Sequence, residues 1–164
     1  MDKDKLNNLR HSCAHLLAAA VTKLWPDTKL TIGPSIENGF YYDFDFQQEN
    51  SPRAKRGVYF SKPITEEDLL GIEKKMNELL PSWVGFERRE ATEEEAKEIY
   101  KGNSYKLELI DEIVQKGEPI TLYKAGDFED LCRGGHSGHP SKDIGAFKLL
   151  SIAGAYWRGS EKNK

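Results

Sequence analysis

Cysteine is nearly missing from this chain: Cys13 and Cys132 are the only two among 164 residues. That excludes a small fold held together by disulfides. No apolar run approaches the roughly 18 residues of a membrane span, so a membrane partner is not expected. The opening "MDKDKLNNLR" is polar and charged, which does not fit a secretory signal. A cytoplasmic, reducing setting with two free thiols is therefore expected, and a Cys13–Cys132 bridge is disfavoured. Charge of one sign is also lacking. The net charge of −3 excludes a domain that is basic throughout and binds nucleic acid by bulk attraction. Acidity peaks at Glu93, Glu94 and Glu95. Arg133, Lys142, Lys148, Arg158, Lys162 and Lys164 make the last stretch basic. That stretch is either a solvated surface or a place for a polyanion.

What remains is an ordinary globular composition, 38% hydrophobic and 31% charged, of a length that suits one domain over residues 1–164. Hydrophobic spacing predicts a first helix from Asp4 to Trp25, stopped by Pro26. Leu9, Cys13, Leu16, Leu17, Ala20 and Leu24 form its core stripe. His11 and His15 fall on the other side with Ala14, Ala18 and Thr22. They are either two surface histidines or a pair exposed to a closely approaching segment or ligand.

"LTIGPSIENGFYYDFDF" reads as a strand, a turn at Asn38-Gly39 and a second strand. The stretch "QQENSPRAKRG" reads as a loop. Capping signatures at Thr65 and at Thr92 with Glu95 open two helices, the first reaching about Leu80. "SYKLELIDEIVQKG" gives another helix. "WVGFERRE", "ITLYKAG", "FEDLC" and "GAFKLLSIAGAYW" are predicted as strands. This order implies an α+β fold, a mostly antiparallel sheet packed with helices.

The chemistry concentrates in "DLCRGGHSGHP". Cys132 and His136 are four apart with Gly134 and Gly135 between them, which favours a tight loop over a helix. With His11 and His15 they make three imidazoles and a thiol, a legitimate zinc set. The competing reading is a core cysteine with surface histidines. His139, beside Pro140, reads as a loop residue. Strand alternation puts Asp130 on the same face as Cys132, where a carboxylate could orient a histidine or hold water. By spacing alone Lys106 is an ordinary helix-surface lysine.

The segments "RHSCAHLLAAAVTKLWPDTKLTIGPSIENGFYYDF", "GNSYKLELI", "DLCRGGH" and "FKLLSIAGAYWRGSEKNK" resemble the editing domains of bacterial-type threonyl-tRNA synthetases. The resemblance runs from about Arg10 to Asn163. The ligand pairs also resemble those of alanyl-type editing domains. "AYWRG" is similar to the junction leading into a synthetase catalytic core, which would follow residue 164 and alone would use ATP.

The resemblance implies proofreading: hydrolysis of the ester in seryl-tRNA(Thr), with threonyl-tRNA(Thr) spared. A methyl group is worth only about 1–3 kcal/mol of discrimination, so a second sieve is needed. It further implies that His11, His15, Cys132 and His136 line the pocket, and hold zinc if a metal is bound. Asp130 would bind the seryl amino group or hold water, Lys106 would polarise the ester, and Tyr42 would lie near the terminal adenosine.

Editing without a metal is the favoured expectation. The expected partners are the acceptor end of tRNA(Thr) and the rest of a synthetase chain. A free-standing zinc hydrolase, an alanyl-type trans-editing deacylase and a non-enzymatic zinc or RNA-binding module are the alternatives. Gly135 stands where a proline is common in the family, which implies a looser loop.

Overall fold

The computed structural model describes residues 2–46 and 64–154. The loop read at "QQENSPRAKRG" and the motif "AYWRG" lie outside the described residues. The fold is α+β, as the sequence pattern implies. Helix α1, Lys3–Leu24, forms the spine. Four two-residue strands follow: β1 (Lys29–Leu30), β2 (Ser35–Ile36), β3 (Gly39–Phe40) and β4 (Phe44–Asp45). Then come α2 (Leu69–Leu79), β5 (Glu87–Ala91), α3 (Glu93–Ile99) and α4 (Ser104–Gln115). The described elements end with β6 (Ile120–Ala125), β7 (Phe128–Leu131) and the short α5 (Pro140–Asp143). Strands β5, β6 and β7 form an antiparallel sheet in that order.

The amphipathic reading of α1 is corrected in its middle. Every residue from Ser12 to Val21 is buried, on both sides of the helix. Ala14, Ala18 and Ala20 have no exposed surface, and small side chains of this kind let neighbouring backbone approach closely. His15 is therefore a core residue, 3% exposed, and not one of two surface histidines. Cys13 is buried on the stripe as expected, and both thiols are free.

The aromatic hairpin is real but interrupted. β1 pairs with β4 and β2 with β3. Between the two ladders the backbone bonds of Thr31 and Ile32 with Asp43 keep the strands together. Ile36 pairs with Gly39, so the turn residues are Glu37 and Asn38, one position earlier than expected.

The capping signatures fold as predicted. Asp68 Oδ2 accepts from the Thr65 backbone N–H at 2.8 Å, and Thr92 accepts from Glu95 N at 3.2 Å. Pro81 lies within a 3₁₀ turn, Leu80–Ser82, immediately after α2. The strand expected at "GAFKLLSIAGAYW" is absent from its described part, residues 145–154. Phe147 and Leu149 do turn inward onto the core while Leu150 is 81% exposed. The Leu149 N–H is taken by the Glu73 carboxylate at 2.6 Å and not by a strand. Alternation records which side of an extended segment faces the core, whether or not a ladder forms.

Candidate functional site

Two elements bring the histidines and the thiol together. α1 carries His11 and His15 one turn apart. The sheet carries Cys132 just past the end of β7, where Cys132 N bonds to Thr121 O at 3.1 Å and prolongs the β6–β7 ladder by one bond. The chain then turns sharply through Gly134 and Gly135, with φ of 102° and 83°. Side-chain-bearing residues rarely adopt that region, and proline cannot. A methyl on Gly134 would also meet the Tyr123 hydroxyl at 2.6 Å.

The loop is not loose, contrary to expectation. The His11 Nδ1–H donates to Gly135 O at 3.1 Å. Ser137 N donates to the buried Ser12 hydroxyl at 2.9 Å, and that hydroxyl donates to Asn8 O at 2.8 Å. His136 is then clamped between rings. Phe86 stacks on it at 3.9 Å and His11 lies 4.7 Å away on a nearly parallel plane.

One potential ligand atom from each of His11, His15, Cys132 and His136 lies within 4.8 Å of the others. His11 Nε2 is 3.1 Å from His15 Nε2, and Cys132 Sγ is 3.4 Å from Nε2 of both His11 and His136. Tetrahedral zinc with such ligands places donor atoms roughly 3.3–3.6 Å apart. The proton count points the same way. Gly135 O can only accept, so His11 carries its proton on Nδ1 and presents a lone pair at Nε2. His15 Nδ1 is buried without a hydrogen-bond partner, 3.5 Å from Asp130 Oδ2.

If His15 is protonated on Nδ1, two Nε2 lone pairs face each other. If it is protonated on Nε2, a bare Nδ1 faces a carboxylate. Either way one lone pair is opposed, and a cation shared by the two Nε2 atoms would relieve it. The four residues therefore fit a zinc ion.

Burial pushes all three imidazoles down. His11 lies below its ordinary value, His15 lies well below it, and His136 is lowered to about 3 by burial and its neighbouring histidines. The Cys132 thiol is raised by burial to about 11. At neutral pH the cluster is three neutral imidazoles and a thiol. Such a set can accept protons and bind a metal. Cys132, held as a thiol, is a poor nucleophile.

Behind His15 lies a second group that spacing could not reveal. Lys106 and Asp130 are each 1% exposed. Lys106 Nζ pairs with Asp130 Oδ1 at 2.7 Å, and the Tyr42 hydroxyl donates to Asp130 Oδ2 at 2.6 Å. Lys106 Nζ also reaches the Tyr42 hydroxyl at 3.3 Å and sits 6.0 Å from the Tyr100 ring. The helix-surface reading of Lys106 is thus corrected. Asn103 caps α4 by accepting from Lys106 N at 3.2 Å, and its amide donates to Leu30 O at 2.7 Å. Those two bonds swing Lys106 inward.

Tyr42, expected near an adenosine, is 7% exposed, and its ring stacks on Phe44 at 5.0 Å. It offers little open face. His139 lies apart from the cluster at the start of α5. Ser12, Phe86, Tyr100 and Ser137 support the site without any signal in the sequence that singles them out.

Residues 120–164 match the model of the Threonyl and Alanyl tRNA synthetase second additional domain. A threonine–tRNA ligase of Laribacter hongkongensis is 48% identical over 165 residues, which are 99% of this chain and 24% of the ligase. Over nearly its whole length this chain is similar to part of a threonine–tRNA ligase, and its carboxy-terminal part matches the synthetase second additional domain. A second ligase, from Borrelia turicatae, is 47% identical over 166 residues, 100% of this chain and 26% of the ligase. A third, from Thermotoga neapolitana, is 49% identical over 157 residues, 94% of this chain and 22% of the ligase. The chain thus spans about a quarter of the length of the curated relatives it matches. Asp130, Cys132 and His136 lie within the matched residues, and the two groups they belong to meet at His15. Among the described residues, no helix is long and apolar enough to cross a membrane.

Proposed function

We propose that this chain is the proofreading domain of a cytoplasmic threonyl-tRNA synthetase and hydrolyses the ester of seryl-tRNA(Thr). The observation that carries the reading is the convergence of His11, His15, Cys132 and His136 on one point, backed by the buried Asp130 carboxylate. Water attacks the ester carbonyl while His11 Nε2, a lone pair facing into the cluster, accepts its proton. The resulting imidazolium is stabilised through its Nδ1–H bond to Gly135 O. It then returns a proton to the departing ribose oxygen, which leaves free serine and an intact tRNA.

Asp130, neutralised by Lys106 and held by Tyr42, steadies His15 from behind. In this arrangement Lys106 and Asp130 are positioning residues, because both are closed off from the cluster's open side. A bound zinc ion, held by His11, His15, Cys132 and His136, would lower the pKa of a coordinated water to about 7. Threonine is refused by the bulk of its extra methyl, with the Phe86 and Tyr123 rings packed on His136 as the nearby bulk.

The test is deacylation of seryl-tRNA against threonyl-tRNA, with and without a chelator. Selective seryl cleavage that survives chelation supports the histidine mechanism. Loss on chelation with recovery on added zinc assigns the four residues as obligatory ligands. Cleavage of both esters at equal rates would sink the proofreading reading.

A further inference from the structure

The amino-terminal half of α1 separates two clefts of opposite charge. On one side a cleft of about 270 Å³ is lined by Asp2, Asp4 and Asp143 with Lys5, and reaches His136. On the other side a larger groove, about 560 Å³, lies between α1 and the β2–β3 hairpin. Its cations are Lys3 and Arg10, against the single anion Glu37. Leu6 and Ile36 give it apolar surface, Ile36 being 46% exposed. Asn7 and Ser35 add hydrogen-bonding groups.

Arg10 Nη1 donates to Ile36 O at 3.2 Å, which lays the guanidinium along the hairpin. A guanidinium has five N–H donors, so one such bond leaves capacity for a phosphate. Arg10 is also the chain neighbour of His11, whose imidazole belongs to the cluster.

We propose that this groove holds the phosphodiester backbone of the single-stranded 3′ end of an RNA, with Arg10 and Lys3 contacting phosphates. A positive groove with apolar surface for bases and ribose is the usual means of holding a single strand. The acidic cleft repels the same polyanion, so charge alone chooses the side of α1 on which the strand lies. Arg133, the first cation of the basic carboxy-terminal stretch, is paired with Glu118 at 3.0 Å. Delivery of the strand's end to the cluster rests on the ester-hydrolase reading, but the groove itself does not.

The probe is a fluorescent RNA hexamer ending in CCA, with serine joined to the terminal ribose through a stable amide. Its affinity for the full chain is measured by anisotropy over a salt series. Removing one cation that neutralises a phosphate of a single strand lowers the salt slope by about 0.7, so Lys3→Gln with Arg10→Gln should weaken binding about 25-fold at 0.1 M salt. Glu37→Gln should tighten binding, a change of sign that damage to the fold would not produce. Asp4→Asn, on the far side, should leave the slope alone. An unchanged slope in the Lys3/Arg10 double variant overturns the proposal.

The companion assay uses seryl-adenosine ester, which has no phosphate. Arg10→Gln should lower its hydrolysis far less than that of seryl-tRNA. An equal loss on this ester and on seryl-tRNA would make Arg10 a support of the cluster and overturn the groove. If the unaltered chain fails to cleave the ester while the salt slopes behave as stated, the hydrolase reading fails and the groove stands.

Discussion

The Lys106–Asp130–Tyr42 group and the histidine–cysteine cluster share His15 as a border, yet they are built by opposite means. The first stands on regular elements: a capped helix, a central sheet and a packed aromatic hairpin. Its charges are fully withdrawn from water and fully partnered. The second hangs partly on a glycine turn, is half-buried, and leaves lone pairs opposed. One region is saturated, and the other is chemically unsatisfied. Substrates and metals bind where groups remain unsatisfied, and the saturated neighbour keeps those groups aimed.

The contrast is broken most severely by removing one charge from the saturated region. Lys106→Met leaves Asp130 buried and uncompensated, which should cost about 3–5 kcal/mol in urea unfolding. Lys106→Met with Asp130→Asn should regain part of it. If the single variant is as stable as the parent, the pair is not desolvated as described.

A smaller effect is expected from Gly33→Ala. A methyl there would overlap the Tyr42 ring, with Cε2 at 2.8 Å. Overpacking of this kind costs about 1–3 kcal/mol, to be read as a lower thermal midpoint. Seryl-ester hydrolysis should fall with it, because the Tyr42 hydroxyl moves off Asp130.

Acidification sharpens the comparison from the cluster's side. His136 titrates at about 3 in the fold against 6.5 unfolded. The unfolded chain therefore binds the proton first. The contribution of this residue is complete above about 6.5 and is lost as pH falls toward about 3. His11 and His15, also lowered, act in the same direction. Denaturant midpoints measured from pH 7.5 to 4 should fall steadily. In His136→Phe the decline should be shallower.

The smallest effect tests how the saturated region is aimed. Asn103→Ala removes the α4 cap and the tie to Leu30, at about 1 kcal/mol. Its thermal midpoint should drop only slightly. A drop as large as that of Lys106→Met would mean that the cap, rather than the ion pair, holds the region together.

Much of this molecule is legible in its sequence. The α+β class, the capped helices and the two i, i+4 ligand pairs follow from periodicity, capping chemistry and side-chain type, while the convergence of the pairs is implied only by the family resemblance. Local order of this kind needs only a few neighbouring residues. What the pattern misses depends on distant neighbours. His15 looks solvent-facing because a helical wheel shows one side of a helix, and the wheel cannot show that Phe86, Phe128 and the sheet cover the other. Residues 145–154 alternate like a strand but meet α2 instead of a sheet edge.

By itself, then, the sequence determined which segments coil, where they cap, and which four side chains have the chemistry to bind a metal or move a proton. The tertiary structure alone decided that Lys106 is buried against Asp130, that Tyr42 faces inward, and that Ser12 ties the loop to the helix. The physical reason is range. Capping and periodicity act within a turn or two of chain. Desolvation and ion pairing depend on what other, distant segments of the chain bring against a side chain once it has folded.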